Sequence, residues 1–210
     1  MTSPDAAAFI RAHLPVLPVP GIPEIRLHKA VPASGVGRLA GDDAPYWAHH
    51  WAGGLALARY VLDHPESVAG RHVLDLGAGS GLVAIAAVKA GAREAIAVDA
   101  DPHALAALAL NAAANGVSLD IRAGDVASLA IPDADMILAG DLFYSDDLAA
   151  AVTAFLDRCL DRGIEALVGD PWRRPLPLAR LEEIARYEVA ETGAGTKASG
   201  VFRFGRGSRA

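Results

Sequence analysis

The sequence predicts an α/β fold: a seven-stranded, mostly parallel sheet with helices on both faces and a C-terminal antiparallel hairpin. Three observations carry this. From residue 71 onward, short apolar runs alternate with helical patterns, as they do where parallel strands are joined by crossover helices. The strand segments are apolar nearly throughout, as strands covered on both faces must be. The last two strand-like segments, 187–192 and 196–204, are joined by Gly193-Ala-Gly195, a link that suits an antiparallel pair on one edge. With 210 residues, 52% hydrophobic and 21% charged, the chain suits one main domain and excludes disorder.

The elements follow in order. Ser3 before Pro4 opens a short helix over 4–13. Pro15, Pro18, Pro20, Gly21 and Pro23 make the next stretch extended, with a short strand at 25–31. Residues 33–45 hold Gly35, Gly37, Gly41 and Pro45 and read as a mobile or ligand-gated loop. Residues 1–45 are therefore expected to be a helix and an irregular segment, 46–205 the main domain, and 206–210 a flexible tail. A helical pattern runs from Trp51 to Asp63 and is stopped by Pro65. Strands are expected at 73–76, 95–98, 119–122, 134–138 and 166–168, with helices at 82–90, 103–115 and 146–161 between them. A further helix is expected near 178–186, before the hairpin.

Composition removes several function classes. A net charge of −6 without a basic block disfavours a nucleic-acid surface. The apolar runs stop far short of the roughly 18 residues a membrane span needs. The single cysteine, Cys159, excludes a disulfide framework and a cysteine-cluster zinc site. Its place on helix 146–161 reads as core. His49 and His50 are adjacent and diverge on a helix, so no metal site is expected. Met1-Thr-Ser-Pro-Asp5 has no basic n-region, so a cytoplasmic chain is expected; a monomer is the separate expectation for its assembly.

The informative segment is Asp75-Leu-Gly77-Ala-Gly79-Ser-Gly81, between a strand and a helix. A dinucleotide loop would need glycine at position 82, and Leu82 stands there. A carboxylate at Asp75 would repel a pyrophosphate but suits an ammonium or sulfonium group. This pattern resembles motif I of class I S-adenosylmethionine-dependent methyltransferases, which are Rossmann-like. The resemblance implies that Asp75, Gly77, Gly79 and Gly81 cradle S-adenosyl-L-methionine. Asp99 ends the second strand, where an acidic side chain accepts both hydroxyls of a ribose. Asp101, followed by Pro102, reads as a helix N-cap. Asp125 follows the third strand, and the resemblance implies that it accepts from the adenine amino group. The three carboxylates line one edge of the sheet, the carboxyl edge where ligands bind in open α/β folds.

The fourth strand runs into Gly140-Asp141-Leu-Phe143-Tyr144. It lacks the Asn/Asp-Pro-Pro-Tyr of DNA and glutamine enzymes and resembles the Asp-x-x-Tyr/Phe motif of protein lysine methyltransferases. Together with Ala44-Pro-Tyr46-Trp47-Ala-His-His-Trp51-Ala-Gly53-Gly54 and Val168-Gly-Asp170-Pro171, it is similar to the electron transfer flavoprotein β-subunit lysine methyltransferases. The resemblance covers about residues 40–190. It implies that Asp141, also a cofactor contact, holds the incoming ammonium, and that Tyr144 acts with it. It implies too that Phe143 or Tyr144 forms an aromatic wall, the other ring being core, and that Trp51 lies against the cofactor, with Trp47 a weaker candidate. Arg173 and Arg174 follow Trp172, where relatives carry a glycine before the arginine. They are read either as the rim of an open channel that meets an acidic partner or as a solvated face. The implied function is methyl transfer to lysine of a protein, the electron transfer flavoprotein β-subunit. Two alternatives stand beside it: a small-molecule, nicotinamide-like N-methyltransferase, as bacterial members are often labelled, and a non-catalytic S-adenosylmethionine-binding protein.

Overall fold

The structure, a computed structural model, describes residues 3–40, 44–191 and 195–207. Helix α1 (Ser3–His13) is followed by a hairpin of β1 (Val16–Val19) and β2 (Ile22–His28), then by the one-turn helix α2 (Gly37–Ala40). The main unit runs α3 (Ala52–Asp63), β3 (His72–Leu76), α4 (Leu82–Lys89), β4 (Glu94–Asp99), α5 (Pro102–Ala114), β5 (Asp120–Ala123), β6 (Met136–Gly140), α6 (Asp146–Asp161), β7 (Glu165–Asp170), β8 (Leu181–Glu191) and β9 (Gly195–Phe204). The seven strands β3–β9 form one sheet in the order β5-β4-β3-β6-β7-β9-β8. The pairs among β3 to β7 are parallel, and β9 is antiparallel to both β7 and β8. This is the expected fold class.

Successive strand residues point to opposite faces, and the core divides accordingly. Val73, Ala95, Ala97 and Leu138 bury against α3 and α4. Leu74, Leu76, Ile96 and Ile137 bury against Phe155, Leu156 and Cys159 of α6. The strand order reverses between β3 and β6, which opens a crevice at their carboxyl ends. Among the described residues no helix is long and apolar enough to cross a membrane.

The expected helix near 178–186 is absent. A short 3-10 turn, Leu178–Arg180, leads directly into the eleven-residue β8. Its Leu-Glu-Glu-Ile-Ala-Arg composition favours a helix, but pairing with β9 along its whole length satisfies the backbone instead. A register shift between Glu183 and Ala185 breaks the two-residue alternation. Leu181 therefore packs on the α6 side, whereas Ala185, Tyr187 and Val189 pack on the α3 side.

The N-terminal segment is also more regular than expected. Ile22, Ile25 and Leu27 of the hairpin are buried against the α3–α4 side of the core. Asn111 of α5 ties this segment to the site. Its Oδ1 accepts from His28 N–H at 2.8 Å and its Nδ2 donates to Ser80 O at 2.8 Å. The loop expected at 33–45 contains a 3-10 turn at Pro32–Ser34 and α2, with residues 41–43 outside the described ones. Of the expected tail, Arg206 pairs with Asp161 at 2.6 Å, and 208–210 lie outside the described residues.

Candidate active site

A cleft of about 670 Å³ opens at the carboxyl ends of β3, β4 and β6, within the range usual for small-ligand sites. Its floor begins with the glycine turn after β3. Gly79 has φ 51, and a Cβ there would meet only the backbone and Cβ of Trp47, at 3.7 and 3.9 Å. The turn therefore leaves its backbone open to a ligand. Gly81, at φ 83, is instead the N-cap of α4 and packs against Leu108. It is not among the residues that line the cleft.

A glycine N-cap has no side chain to satisfy the first amides of α4. Asp75 does this from the strand: its Oδ2 accepts from Ala84 N–H at 2.9 Å. The carboxyl group is buried, and burial pushes its pKa up to about 8, with the charge of Asp99 adding and the Ala84 amide opposing. Asp99, at the end of β4, accepts from Gly79 N–H at 2.8 Å and Asp101 N–H at 2.9 Å. Burial raises its pKa against these amides. Asp101 caps α5 by accepting from His103 N–H, as its sequence position predicts. Asp125 is exposed at the edge of the cleft, its Oδ1 accepting from Ala127 N–H at 2.9 Å.

The far end of the cleft is built around Asp141, just past β6. Its Oδ2 accepts from Gly54 N–H in the first turn of α3, and its Oδ1 accepts from Arg173 Nη1 at 2.6 Å. The same Nη1 donates to Asp170 Oδ2 at 3.0 Å. Burial raises the pKa of Asp141, while Arg173 and the α3 amides oppose it. Arg173, expected on the rim, thus lies in the floor, bound between two carboxylates. Arg174 is exposed and does not line the cleft. Phe143 is fully buried on the α6 side of the sheet and cannot form a substrate wall. Tyr144 lines the cleft and is 57% exposed.

Trp51 lines the cleft at the N-cap position of α3, its Nε1 donating to Tyr46 O at 2.9 Å. Tyr46 links the two aromatic groups: its ring lies 5.8 Å from that of Trp51 and stacks 5.9 Å from that of Tyr144. Trp47 lines the cleft too, but is nearly all buried against α1 and α5. The sequence alone assigns Tyr46 no role, although the run Tyr46-Trp47 before the glycine pair Gly53-Gly54 is the available signal. Gly54 and Asp170 likewise lie in the segments that carry the family resemblance without an assigned role, because their roles depend on partners distant in the chain. His50 is buried beside the cleft, and burial first, then Lys29 and His49, hold its pKa down to about 4. Among the described residues no group of three or more His, Cys, Asp or Glu could hold a metal ion.

The donor and acceptor set fits a nucleoside joined to a cationic amino acid: three carboxylates on one edge, an uncovered glycine backbone and an aromatic mouth. Comparison with known proteins agrees in kind. A family model described as ribosomal protein L11 methyltransferase (PrmA) matches residues 56–157. The electron transfer flavoprotein β-subunit lysine methyltransferase of Rattus norvegicus is 44% identical over 153 residues, which are 70% of this chain and 60% of that protein. This chain thus matches less than two thirds of the rat protein's length. The relative of the same name from Xenopus laevis is 36% identical over 197 residues, 88% of this chain and 79% of that one. In fold, the chain resembles the ribosomal protein L11 methylase of Lactobacillus delbrueckii subsp. bulgaricus, with a TM-score of 0.51 at 23% identity over 73% of this chain and 79% of that one.

Proposed function

We propose that this chain, which belongs to the electron transfer flavoprotein β-subunit lysine methyltransferase family, transfers methyl groups from S-adenosyl-L-methionine to lysine of that flavoprotein subunit. The observation that carries the reading is the far end of the cleft, where Asp141, fixed by Gly54 and Arg173, lines the same cavity as the exposed ring of Tyr144.

When bound, S-adenosylmethionine supplies a methyl group on a sulfonium, which an amine can take in one displacement. Asp99 would hold it at the ribose, because two backbone amides fix its carboxylate and leave lone pairs for hydroxyl groups. Asp125 at the cleft edge would accept from the adenine amino group. Asp75 and the Gly77–Gly79 backbone would take the cationic amino-acid end, and Trp51 would cover it.

Asp141 accepts one bond on each oxygen and keeps lone pairs for a lysine ammonium. It orients the nitrogen, while the lysine releases its proton to water at the open mouth. Tyr46 and Tyr144 offer faces that tolerate both the apolar stem and the charge of a lysine. Rate then comes mainly from position and from removing water around the amine.

The test is a competition assay with labelled S-adenosylmethionine, purified flavoprotein and nicotinamide. Label should appear on lysines of the β-subunit. Methylation of nicotinamide at a comparable rate, or an unlabelled flavoprotein, would overturn the reading.

A further inference from the structure

We propose that Arg173 is a positioning residue: it bridges Asp141 and Asp170, clamping the Asp141 carboxylate against the N-terminus of α3 and balancing its charge. This deepens the reading above and rests on it. One nitrogen, Nη1, lies 2.6 Å from Asp141 Oδ1 and 3.0 Å from Asp170 Oδ2. The backbone N–H of Arg173 also donates to Asp170 Oδ1, at 2.7 Å. Asp170 is itself fully buried, so its charge has no partner in water. Asp141 N–H donates to Gly169 O at 2.9 Å, which joins the β6 and β7 ends of the clamp through the main chain.

The backbone points the same way. Asp141 (φ 61) and Trp172 (φ 56) are the two non-glycine residues with positive φ among those described. Such residues persist where the surroundings over-determine them, and they gather at functional sites. Here both belong to the clamp. Trp172 is held by an edge contact with Phe202 at 5.8 Å and by Arg186 above its ring at 4.5 Å. The turn that presents Arg173 inward is thereby fixed, although a glycine would suit it better.

One guanidinium faces two carboxylates, so with both ionised the floor carries a net negative charge that suits a cationic substrate. Without the Arg173 side chain two buried carboxylates would face each other with only backbone amides to balance them, those of α3 on Asp141 and that of residue 173 on Asp170. Like charges so placed do not both ionise, and the pair keeps a proton. An Asp141 that shares that proton no longer presents a full charge to an ammonium group. Arg173 and Asp170 are the side-chain charges that act on Asp141, and the α3 amides are its other partners.

The experiment measures methyl transfer to purified flavoprotein at saturating S-adenosylmethionine, from about pH 6.5 to about pH 9.5, for wild type, Arg173→Lys and Arg173→Gln. At neutral pH Arg173→Gln should lose about a hundredfold in rate, as a mispositioned nucleophile does. It should regain about tenfold or more toward the alkaline end as the carboxylate pair ionises. Arg173→Lys should lie between, and S-adenosylhomocysteine affinity should stay within about threefold in all. A loss of the same factor at every pH, no loss at all, or an affinity loss equal to the rate loss would overturn the proposal.

If Arg173→Gln folds poorly, Arg173→Gln with Asp170→Asn removes the second carboxylate. It should fold better and show its alkaline recovery at lower pH; an unchanged profile would count against the clamp. A wild-type enzyme that methylates no flavoprotein lysine would sink the substrate reading alone. The clamp is then read by melting: Arg173→Gln should lose stability more steeply than wild type as pH rises through neutrality, because its folded state holds the extra proton. Parallel melting curves would overturn it.

Discussion

At φ 61, Asp141 sits where most side chains crowd the backbone and where Asp and Asn are tolerated best. The same residue must offer two acceptor oxygens, one to Gly54 N–H and one to Arg173. These demands separate geometry from charge. Asp141→Asn keeps the backbone preference and one acceptor oxygen but removes the charge and turns an NH2 toward one of the two donors, at a cost of about 1–2 kcal/mol. It should therefore fold and bind S-adenosylhomocysteine nearly as wild type does, while turnover falls by about a hundredfold. Asp141→Ala loses the left-handed preference and leaves a guanidinium nitrogen and a buried amide underpaired. It should also cost roughly 1–3 kcal/mol of stability. Calorimetry, initial rates and melting on the two variants separate the effects. An equal loss of affinity and rate in Asp141→Asn would make the residue a cofactor contact rather than an orienting group.

The helices at the site are capped from a distance. Neither Trp51 nor Gly81 caps its own helix with a side chain. Asp141 accepts from Gly54 N–H in α3, and Asp75 accepts from Ala84 N–H in α4. Strand-end carboxylates thus meet the positive ends of the helices, where anions are stabilised. For α3 this requires close approach to the sheet. A Cβ on Gly53 would lie 2.2 Å from Gly169 O, whereas one on Gly54 would lie 3.5 Å from its nearest neighbour, Asp141 Oδ2. Gly53→Ala should then destabilise by about 2–3 kcal/mol through overpacking, lowering the melting temperature by roughly 4–12 °C. Gly54→Ala, in the same helical turn, should change stability by less than about 1 kcal/mol. Equal melting shifts in the two variants would show that the close approach is not what selects glycine at position 53. The same contrast explains what could be read in the sequence. Asp101 was legible as a cap because its partner, His103, lies two residues away. The caps from Asp75 and Asp141 reach across 9 and 87 residues and leave no local pattern. Most of the parallel strands were legible as short, largely apolar runs, whereas the edge strand β5 reads Asp-Ile-Arg-Ala. Of β8 only the second half was legible, within the strand expected at 187–192; in the first half the register shift hides the alternation behind a helix-favouring composition. Asp75, Asp99, Asp125, Trp51 and Tyr144 reach the cleft as their strand-end or helix-start positions imply. Phe143 and Tyr144 are neighbours, so only the turn after β6 decides which ring is buried. The inward course of Arg173 depends on the turn at Trp172, which composition does not reveal.

Across the whole molecule, the site gathers carboxylates in a chain whose net charge is already −6. Burial raises the pKa of Asp75, Asp99, Asp141 and Asp170 together. A carboxyl group whose folded pKa is raised holds its proton longer in the folded state than in the unfolded chain. Its contribution to stability is therefore complete below the unfolded pKa and is lost as pH rises through the folded one. For Asp75 the loss runs from about pH 4, the unfolded value, to about 8. His50 acts in the opposite sense. Held down to about 4 by burial, it costs stability in acid, and that cost disappears as pH rises toward its unfolded value of about 6.5. The two slopes offset each other up to about pH 6.5, and above it Asp75 acts without that counterweight. Between about pH 6.5 and 8 the ligand-free protein should lose on the order of 2 kcal/mol from Asp75, at about 1.4 kcal/mol per pH unit. Asp75→Asn should flatten that decline. A bound ligand with an ammonium group favours the ionised carboxylate, so S-adenosylhomocysteine should bind more tightly at pH 8 than at pH 6.5, and stabilise more there. Denaturant melts and calorimetry at the two pH values, on wild type and Asp75→Asn, measure both slopes. If the wild-type decline persists unchanged in Asp75→Asn, the proton sits on another of the four carboxylates. If ligand affinity does not rise with pH in wild type, the buried acid does not meet the cationic end of the ligand.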